Sequence, residues 1–535
     1  MSTGSESSRL DEMLAAAEPK GTTLVDALVA RLARLDGSVN VHGTTHGVGV
    51  RGVTNDSREV HPGSLFVAIP GVHADGHAFV EAAVRAGATA VIVESPVPTV
   101  NIPQLIVTSA RRAFAEAAAW RYGDPSRELG VIGITGTDGK TTTSLMAAAA
   151  LASAGISTGL VGTVATQIGG VREANAIHST TPEAPVLQRA LRAMVRAGDQ
   201  AAIVETTSHG LALDRVAAVD YDIAVFTNLT HEHLELHGSF AAYRDAKRSL
   251  FDRLALEQTR PARFGVAWPR TGIVNADDPS AAVFMAATAA AGAQVLTYGR
   301  AADANVRLTA VEDDGHGLQV AYLTADGPAS MRLHLGGRFN AHNALAVVAL
   351  GRAIGLDPRA VHAGLEGLPG IPGRMERIDR GQPFSVIVDY AHSPASLALV
   401  LDELGPVAAM HGGGLIAVFG SAGERDTEKR PMMGWIAAER CRIVIATDED
   451  PRAEDGNDIL AEISAGADKA SVRPEAVLRI ADRSMAIREA MARANPGDVI
   501  LLAGKGHEAS IEYADHMLPW NERGEAEAAL RELGW

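Results

Sequence analysis

The 535-residue sequence predicts an α/β protein built on parallel sheets. Apolar runs with the length of buried strands alternate with longer Ala-rich stretches that suit helices. One of these runs, at residues 131–135, leads into a glycine-rich turn that carries a lysine and several threonines. A chain of this length is too long for one hydrophobic core, so we expect about three domains.

Three regions follow one another along the chain. Residues 1–22 form a polar leader that we expect to be disordered, and residues 23–127 form a first domain with buried strands in SLFVAIPG and ATAVIVE. Residues 128–370 form a second domain with expected strands VIGIT, AAIVE, IAVFTN and TGIVNA. Residues 371–535 form a third, with SVIVDYA, LIAVFG, RIVIATDE and DVILLAGKG. Ligands of such sheets bind at the carboxyl ends of the strands, where these runs end in polar loops.

Composition excludes several classes of protein. A formal net charge of -16 argues against nonspecific binding to nucleic acid or to a membrane surface. Cys441 is the single cysteine and lies in an apolar run, so we expect it in a core.

The uncharged run at 145–170 is long enough to span a bilayer, but it is rich in small residues and falls where a helix and a strand are expected. The sequence also begins without the basic and apolar segments of a signal peptide, which favours a cytoplasmic protein.

The string TGTDGKTT carries the strongest chemical signal. Gly136 and Gly139 let the backbone turn its N–H groups toward an anion, and the following helix presents its positive N-terminal end. Lys140 is placed to reach the outer phosphates of a nucleotide, and the hydroxyl of Thr141 to bind magnesium. Five residues rather than the usual four separate Gly133 from Gly139, so this is a variant of the common P-loop.

Two further strings of the second region carry groups suited to metal binding. Glu205 ends a predicted strand and opens ETTSHGLALDRV, while His233 and Lys247 lie in TNLTHEHLELHGSFAAYRDAK. A carboxylate and an imidazole beside a nucleotide favour one or two divalent ions that bridge phosphate oxygens.

The chain resembles the Mur ligases over nearly its whole length. The string E-x-x-S-H-G-L-x-x-x-R is typical of their MurE group, the UDP-N-acetylmuramoyl-tripeptide synthetases. The other strings that carry the resemblance are DSREVHPGSLFVAIPG, DGHAF, TGTDGKTT, TTPEAP, TNL-x-x-x-H-L, GRFN-x-x-N, PGRMERI, DYAHSP, FG-x-x-G-x-RD-x-x-KR and GKGHE.

The resemblance implies an architecture and a reaction. It implies a UDP-binding domain at 23–127, a P-loop-type ATP-binding domain at 128–370 and a Rossmann-like amino-acid-binding domain at 371–535 that closes the site. It implies a ligase that uses ATP and Mg²⁺ to add a diamino acid, as the third residue, to UDP-MurNAc-L-Ala-D-Glu through an acyl phosphate. We expect a monomer without nucleic-acid or stable membrane partners. A Mur-like ligase with a different acceptor is the alternative.

The resemblance also assigns residues. The catalytic set is Lys140, Glu205, His233 and Lys247, and a carbamate on Lys247 would turn a cation that repels metal ions into a carboxylate that supports them. The implied metal ligands are Thr141, Glu205, His233 and Lys247. The implied nucleotide contacts are Gly136, Thr137, Asp138, Gly139, Lys140, Thr141, Thr142, Asn275, Arg374 and Asp389, of which the last three contact either the nucleotide or the domain hinge. Ser57 resembles the uracil contact, and the contacts to the muramoyl peptide and diphosphate are Thr180, Thr181, Thr207 and Arg215.

The site for the incoming amino acid departs from the family pattern. Arg425 is implied to bind a carboxylate of the amino acid through its planar fork, and Gly504 and Glu508 of GKGHE are implied to line the site. Diaminopimelate-specific members carry D-N-P-R where this chain has Glu449, Asp450, Pro451 and Arg452. Asp450 in place of the asparagine, together with Glu508, adds negative charge to this site. That charge favours a side chain that ends in an ammonium group without a carboxylate, as in L-lysine or L-ornithine. Two roles remain open for Arg452. If it pairs with the distal carboxylate of the amino acid, it favours meso-diaminopimelate; in the alternative role, it neutralises Asp450. Ala422 replaces a glycine in the turn before Arg425.

Overall fold

The structure is a computed structural model that describes residues 8–36, 39–71, 74–175, 179–230, 237–255, 268–313, 317–472 and 474–535. It divides into two compact units. The first comprises Met1–Leu229, His233–Thr297 and Ala346–Val361, and the second comprises Thr230–Glu232, Tyr298–Leu345 and His362–Trp535. The predicted α/β class is confirmed, because the sheets in both units contain adjacent parallel strands with helices packed on them.

The amino-terminal part of the first unit contains a mainly parallel sheet. Its strand order is β2-β7-β6-β5-β4, with only the β2–β7 pair antiparallel, and β1 and β3 pair separately. The strands are β1 Thr23–Leu24, β2 Asn40–His42, β3 Gly49–Val50, β4 Gly52–Thr54, β5 Ser64–Val67, β6 Ala90–Val93 and β7 Gln104–Ile106. The helices are Val25–Asp36, Val80–Arg85 and Ala110–Tyr122, with 3₁₀ turns at Ser57–Glu59, Gly76–Phe79 and Pro125–Glu128. β5 and β6 are buried along their whole length, as their apolar runs predict.

The described part of the predicted leader is folded, which corrects the expectation of disorder there. The side chain of Ser8 accepts a hydrogen bond from the N–H of Asp11 and caps a helix over Arg9–Ala17. Leu10 and Ala17 recur at helical spacing and are buried in the core of the central sheet. Residues 1–7 lie outside the described residues.

The central sheet of the first unit has the strand order β11-β10-β9-β12-β8-β13-β14-β15. Its strands are β8 Gly130–Thr135, β9 Thr158–Val161, β10 Ala165–Ile168, β11 Val171–Ala174, β12 Ala201–Glu205, β13 Ile223–Phe226, β14 Thr271–Asn275 and β15 Gln294–Gly299. The helices of this part are Lys140–Ser153, Ala184–Ala197, Ser208–Ala212, Phe240–Asp252 and Ala281–Ala290. β8 lies between two parallel neighbours, β12 and β13, and is buried throughout. Its carboxyl end, and that of β12, therefore open on the same edge of the sheet.

The second unit contains an antiparallel meander and a second α/β sheet. The meander consists of β16 Val306–Asp313, β17 Leu318–Thr324 and β18 Gly327–Leu333. The sheet has the order β19-β20-β24-β21-β22-β23, parallel except at β19. Its strands are β19 Glu376–Ile378, β20 Ser385–Asp389, β21 Leu415–Phe419, β22 Ile443–Ala446, β23 Ala476–Arg479 and β24 Val499–Ala503, followed by the hairpin β25 Ser510–Glu512 and β26 Met517–Pro519.

Helices cover both faces of this sheet, and each face has its own apolar cluster. The remaining helices within the described ranges are Phe339–Ala353, Pro358–Glu366, Pro394–Met410, Lys429–Ala438, Gly456–Ala467, Arg483–Ala492 and Glu522–Glu532. Cys441 is buried just before β22, where burial raises the pKa of its thiol. Of the helices in the described ranges, none has both the length and the apolar character that crossing a bilayer requires.

Candidate functional site

The glycine-rich turn lies between β8 and the helix Lys140–Ser153. Gly139 has a φ of 82°, a conformation that side chains disfavour. A Cβ on Gly136 would lie 1.8 Å from Oγ1 of Thr227. Nζ of Lys140 donates to the carbonyl oxygens of Gly136 and Thr137, at 2.9 and 2.7 Å. The loop is thus wrapped around the lysine at the start of a helix, which is an arrangement suited to phosphate.

Asn228, in the TNL string, holds the turn from the next strand. Its backbone carbonyl accepts from the N–H of Thr137 at 2.8 Å, and its Oδ1 accepts from the N–H of Asp138 at 2.9 Å. Thr141 and Thr142, in the first turn of the following helix, are both buried. The resemblance drew attention to TNL as a motif, but assigned no role to Asn228.

Glu205, at the end of β12, is fully buried beside this turn. Its Oε2 accepts from the hydroxyls of Thr141 and Thr163, at 3.0 and 2.9 Å, and its Oε1 accepts from the N–H of Thr163 at 3.2 Å. A Cβ on Gly162 would lie 2.2 Å from Oε1, so a glycine is needed there. The structure therefore brings two of the predicted metal ligands, Thr141 and Glu205, into contact.

Lys247, on the helix Phe240–Asp252, is 2% exposed and faces the same turn. Its Nζ donates to the carbonyl of Gly136 at 2.7 Å and lies 4.6 Å from the ring centroid of Tyr243. The hydroxyl of Tyr243 lies 3.0 Å from Oγ1 of Thr137. The fourth predicted metal ligand, His233, falls outside the described residues, among which no cluster of three or more His, Cys, Asp and Glu side chains occurs.

The predicted contacts to the muramoyl peptide lie next to Glu205. Oγ1 of Thr181 donates to the backbone carbonyl of Glu205 at 2.8 Å and is 3.0 Å from Oγ1 of Thr207. Oγ1 of Thr180 is 2.9 Å from Oγ1 of Thr163. Arg215 donates to the carbonyl of Thr181 at 2.9 Å. The structure therefore groups all four predicted residues around the end of β12.

Two other predicted residues of the first unit lie apart from this group. Asn275, at the end of β14, donates from Nδ2 to the carbonyl of Thr227 at 2.7 Å, which ties it to the end of the neighbouring strand. Ser57 is half-buried at the start of a 3₁₀ turn after β4. Beside it, hydrogen bonds from Arg58 lower the pKa of Asp56 to about 2.

In the second unit, Arg374 and Asp389 flank the carboxyl end of β20. The carboxylate of Asp389 accepts from the N–H groups of Met375 and Ala391, at 2.7 and 2.9 Å. The guanidinium of Arg374 lies 4.7 Å from the ring centroid of Tyr390, and its Nε is buried with no partner among the described residues. The distance between the Arg374 guanidinium and the Tyr390 ring is typical of a cation–π contact.

Arg425 is exposed on the loop after β21. The loop is tied to the one after β22, since the N–H of Gly423 donates to the carbonyl of Asp450 at 2.8 Å. A Cβ on Gly423 would lie 2.0 Å from the carbonyl oxygen of Pro451. Ala422 is not among the residues with positive φ, whereas Glu424 is, with a φ of 54°. An alanine at 422 therefore imposes no backbone strain on the turn that presents Arg425.

The loop after β22 is held by ion pairs that the sequence analysis did not foresee. Nζ of Lys505 lies 2.8 Å from Oδ1 of Asp450 and 2.5 Å from Oε2 of Glu508. Arg452 pairs with Glu512 through Nε at 3.1 Å, not with Asp450. The expectation that Arg452 neutralises Asp450 is therefore wrong, since a lysine 55 residues away does so.

Glu449 is buried, and the backbone lies close to its side chain at Gly504 and at Gly420. A Cβ on Gly504 would lie 2.7 Å from its Oε2, and one on Gly420 would lie 2.8 Å from its Cβ. Its Oε2 is buried without a hydrogen-bond partner among the described residues.

The buried guanidinium of Arg483 pairs with Glu522 and donates to the carbonyls of Asp448 and Ala503, at 3.2 and 2.7 Å. Arg483 thereby joins the carboxyl ends of β22 and β24.

Three protein-family models match the chain. They are the Mur ligase family catalytic domain at residues 49–122, the Mur ligase middle domain at 134–351 and the Mur ligase glutamate ligase domain at 373–506. Together they cover well over half of the sequence. The chain belongs to the Mur ligase family. The predicted resemblance is thus confirmed, and with it the three-domain Mur ligase architecture.

Mur ligases of several bacteria are similar to this chain along most of their length. A UDP-N-acetylmuramyl-tripeptide synthetase of Roseiflexus sp. (strain RS-1) is 47% identical over 491 residues, which cover 91% of this chain and 95% of that protein. One of the same name from Deinococcus radiodurans is 43% identical over 489 residues, covering 90% and 95%. A UDP-N-acetylmuramoyl-L-alanyl-D-glutamate–2,6-diaminopimelate ligase of Geobacillus thermodenitrificans is 39% identical over 477 residues, covering 89% and 94%.

Solved structures of a diaminopimelate-adding ligase and of a folylpolyglutamate synthase share the fold. The structure of a UDP-N-acetylmuramoyl-L-alanyl-D-glutamate–2,6-diaminopimelate ligase matches with a TM-score of 0.66 and 29% identity, over 96% of this chain and all of that one. A Mycobacterium tuberculosis folylpolyglutamate synthase, solved with ADP and AMPPCP, matches with a TM-score of 0.58 and 20% identity. The match covers 73% of this chain and 91% of that one. At that identity, the second match speaks for the fold alone.

Proposed function

We propose that this Mur ligase adds a diamino acid, as the third residue, to UDP-MurNAc-L-Ala-D-Glu, with ATP as the source of energy. The observation that carries the proposal is the contact of Thr141 with Glu205 beside the turn that encloses Lys140. This geometry supports nucleotide binding, and the similarity to tripeptide synthetases over most of the chain supports the acceptor. Among the relatives, diaminopimelate ligases are also frequent.

The reaction has two steps. The γ-carboxylate of the D-glutamate residue attacks the γ-phosphorus of ATP, so that an O–P bond forms and ADP leaves. The amine of the incoming amino acid then attacks the carbonyl carbon of the acyl phosphate, so that a C–N bond forms, phosphate leaves and the amine loses a proton. Neither step needs a protein nucleophile, because positioning and neutralisation of charge supply the acceleration.

Each residue of the nucleotide site has a place in this scheme. Lys140 and the N–H groups of the turn hold the phosphates, while Thr141 and Glu205 offer oxygen ligands of the type that Mg²⁺ prefers. Bound Mg²⁺ would neutralise charge on the phosphate oxygens. Thr181, Thr207 and Arg215, around the end of β12, hold the acceptor.

Lys247 fits the scheme as a carbamate. Its amine is buried against the turn, and as a cation it would repel a metal ion beside Glu205. Attack of the neutral amine on CO₂ forms a C–N bond and releases a proton, leaving a carboxylate. Native mass spectrometry in bicarbonate should show one added CO₂ on the wild type and none on Lys247→Arg. Equal masses, after correction for the substitution, would contradict the carbamate.

The loop after β22 supports the proposed choice of amino acid. Asp450 stands where diaminopimelate-specific members have an asparagine, and Arg452 is engaged by Glu512. A carboxylate suits the bare side-chain ammonium of L-lysine or L-ornithine, so these are the proposed substrates. Retention of Arg452 is the observation that favours meso-diaminopimelate instead.

The test is phosphate release by the purified protein with Mg-ATP and UDP-MurNAc-L-Ala-D-Glu, with each of the three amino acids in turn. Turnover with L-lysine or L-ornithine and little with meso-diaminopimelate is the expected result. Preference for meso-diaminopimelate would mean that Arg452 decides the choice. No turnover with any of the three would reject the acceptor or the amino acid class and favour a Mur-like ligase with another acceptor.

A further inference from the structure

Lys505, in the GKGHE string, has no part in the reaction as described so far. Its side chain is 1% exposed, and its ammonium lies between the carboxylates of Asp450 and Glu508. Burial of a charge is costly unless opposite charges and hydrogen bonds surround it. Its position indicates that Lys505 acts on the site through these two acids rather than by direct contact with solvent or ligand.

The oxygens of the two acids are not equally engaged. Glu508 uses both, since Oε2 accepts from Lys505 and Oε1 accepts from the hydroxyl of Tyr390 at 3.0 Å. Oδ1 of Asp450 accepts from Lys505 and from the N–H of Glu512, at 2.8 and 2.9 Å. Within the described ranges, Oδ2 of Asp450 receives no hydrogen bond. The Asp450 side chain is 16% exposed, so one oxygen is left open to a ligand.

Two glycines fix the backbone on either side of Lys505. Gly504 and Gly506 have φ values of 101° and 50°, which side chains disfavour. A Cβ on Gly504 would lie 2.7 Å from Oε2 of Glu449, and one on Gly506 would lie 2.9 Å from Cβ of Tyr390. The loop therefore has little freedom, and the lysine is directed into the protein.

We propose that Lys505 is a positioning residue that sets the choice of amino acid through Asp450. It fixes Oδ1, so that Oδ2 is presented to the side-chain ammonium of the incoming diamino acid. Lys505, Asp450 and Glu508 together carry a net charge of about −1. The side-chain ammonium of L-lysine or L-ornithine balances that charge, whereas the distal carboxylate of meso-diaminopimelate adds a further negative charge. With asparagine at position 450, Lys505 would pair with Glu508 alone. This inference rests on the proposed function.

Lys505→Met tests the proposal, with Arg442→Met as the matched control. Arg442 also lies between two carboxylates, Asp498 at 2.6 Å and Glu475 at 2.6 Å, but at the amino ends of the strands of the same sheet. Lys505→Met should raise the KM for L-lysine or L-ornithine about tenfold, because a displaced acceptor binds its ligand poorly. The KM for ATP should stay within about twofold, and Arg442→Met should leave both KM values unchanged.

A double-mutant cycle with Asp450→Asn shows whether Lys505 acts through Asp450. The double variant Asp450→Asn/Lys505→Met should have the same KM for the amino acid as Asp450→Asn alone, since the group that Lys505 positions is already lost. The double variant removes a positive and a negative charge together, so this comparison also serves if Lys505→Met alone does not fold. A further tenfold rise in the double variant, or an equal rise in the KM for ATP, would overturn the proposal.

Turnover by the wild type separates failure of the proposed function from failure of the role of Lys505. If the wild type turns over none of the three amino acids, both the proposed function and this inference are rejected. If it turns over L-lysine or L-ornithine and Lys505→Met keeps the same KM for it, the inference alone is rejected.

Discussion

The proposed nucleotide site of the first unit and the proposed amino acid site of the second are built from different interactions. Neutral hydrogen bonds that Asn228 accepts from Thr137 and Asp138 hold the phosphate turn, and hydroxyl groups donate to the buried carboxylate of Glu205. In the second unit, Lys505 and Arg452 each pair with acids from other parts of the chain. Under the proposed function, the first site serves every amino acid alike, whereas the second discriminates among them. Substitutions in the first should therefore lower turnover uniformly, and those in the second should change selectivity.

Lys140→Met is expected to have the largest effect. Loss of the cation that the turn encloses should lower kcat by roughly 10²–10³-fold, by the same factor for each amino acid, because phosphate charge is common to all of them. Phosphate release with the three amino acids measures this. Lys20→Met, at an exposed lysine of the same unit, is the control. A loss confined to one amino acid would break the distinction between the two sites.

Glu205→Gln should have the next largest effect. The amide keeps the shape of the side chain but loses the charge that favours Mg²⁺, so the Mg²⁺ concentration needed for half-maximal turnover should rise about 10–100-fold. A titration with MgCl₂ measures it. Asp199→Asn is the matched control, since Asp199 is a buried carboxylate next to the amino end of the same strand and accepts from Oγ of Ser157 at 2.6 Å. An unchanged Mg²⁺ requirement in Glu205→Gln would contradict the assignment.

Asp450→Asn should alter selectivity rather than turnover in general. Removing the carboxylate should shift the ratio of kcat/KM values toward meso-diaminopimelate by about tenfold, or ~1.4 kcal/mol. Competition between L-lysine and meso-diaminopimelate, followed by mass spectrometry of the product, measures the ratio. Asp455→Asn serves for comparison, because Asp455 caps the helix Gly456–Ala467 and asparagine caps equally well. A uniform fall for all amino acids would place Asp450 with the general machinery.

Tyr390→Phe should have the smallest effect. It removes the hydrogen bond to Oε1 of Glu508 but leaves Lys505 in place, so the KM for the amino acid should rise about threefold. Burial, and then the charge of Glu508, raise the pKa of the Tyr390 phenol, so it remains a neutral donor at neutral pH. Tyr513→Phe, which loses a hydrogen bond to Asp448, is the control. A rise as large as that of Lys505→Met would show that Tyr390, rather than the lysine, orients the acids.

How far the sequence predicts a site depends on how its residues are distributed. The phosphate turn is contiguous, from Gly136 to Thr141, and its glycines and lysine are identifiable from local spacing alone. The buried strands were predictable for the same reason, since β8 and β24 are unbroken apolar runs. The family resemblance supplied the residues proposed to hold the acceptor around the end of β12, which share no local pattern.

The ion pairs of the second unit had no such signal. Asp450 and Lys505 are 55 residues apart, whereas the partner considered for Asp450 from the sequence was Arg452, two residues away. Their pairing depends on β22 and β24 ending at the same edge of the sheet, which only the fold determines. The amino-terminal leader was misjudged for a different reason. Its polar composition outweighed the helical spacing of Leu10 and Ala17, whose burial depends on a distant surface.

The amino-terminal helix also has a practical consequence for anyone who shortens the chain. Arg9–Ala17 packs against Ala184–Ala197, and Leu187 and Leu191 belong to the same apolar cluster. Cutting the chain after Ala17 would leave apolar surface facing water, and such patches promote self-association. A preparation that is shortened for crystallisation should therefore retain Ser8 and the helix that follows it, so that the helix keeps its cap and the core stays covered.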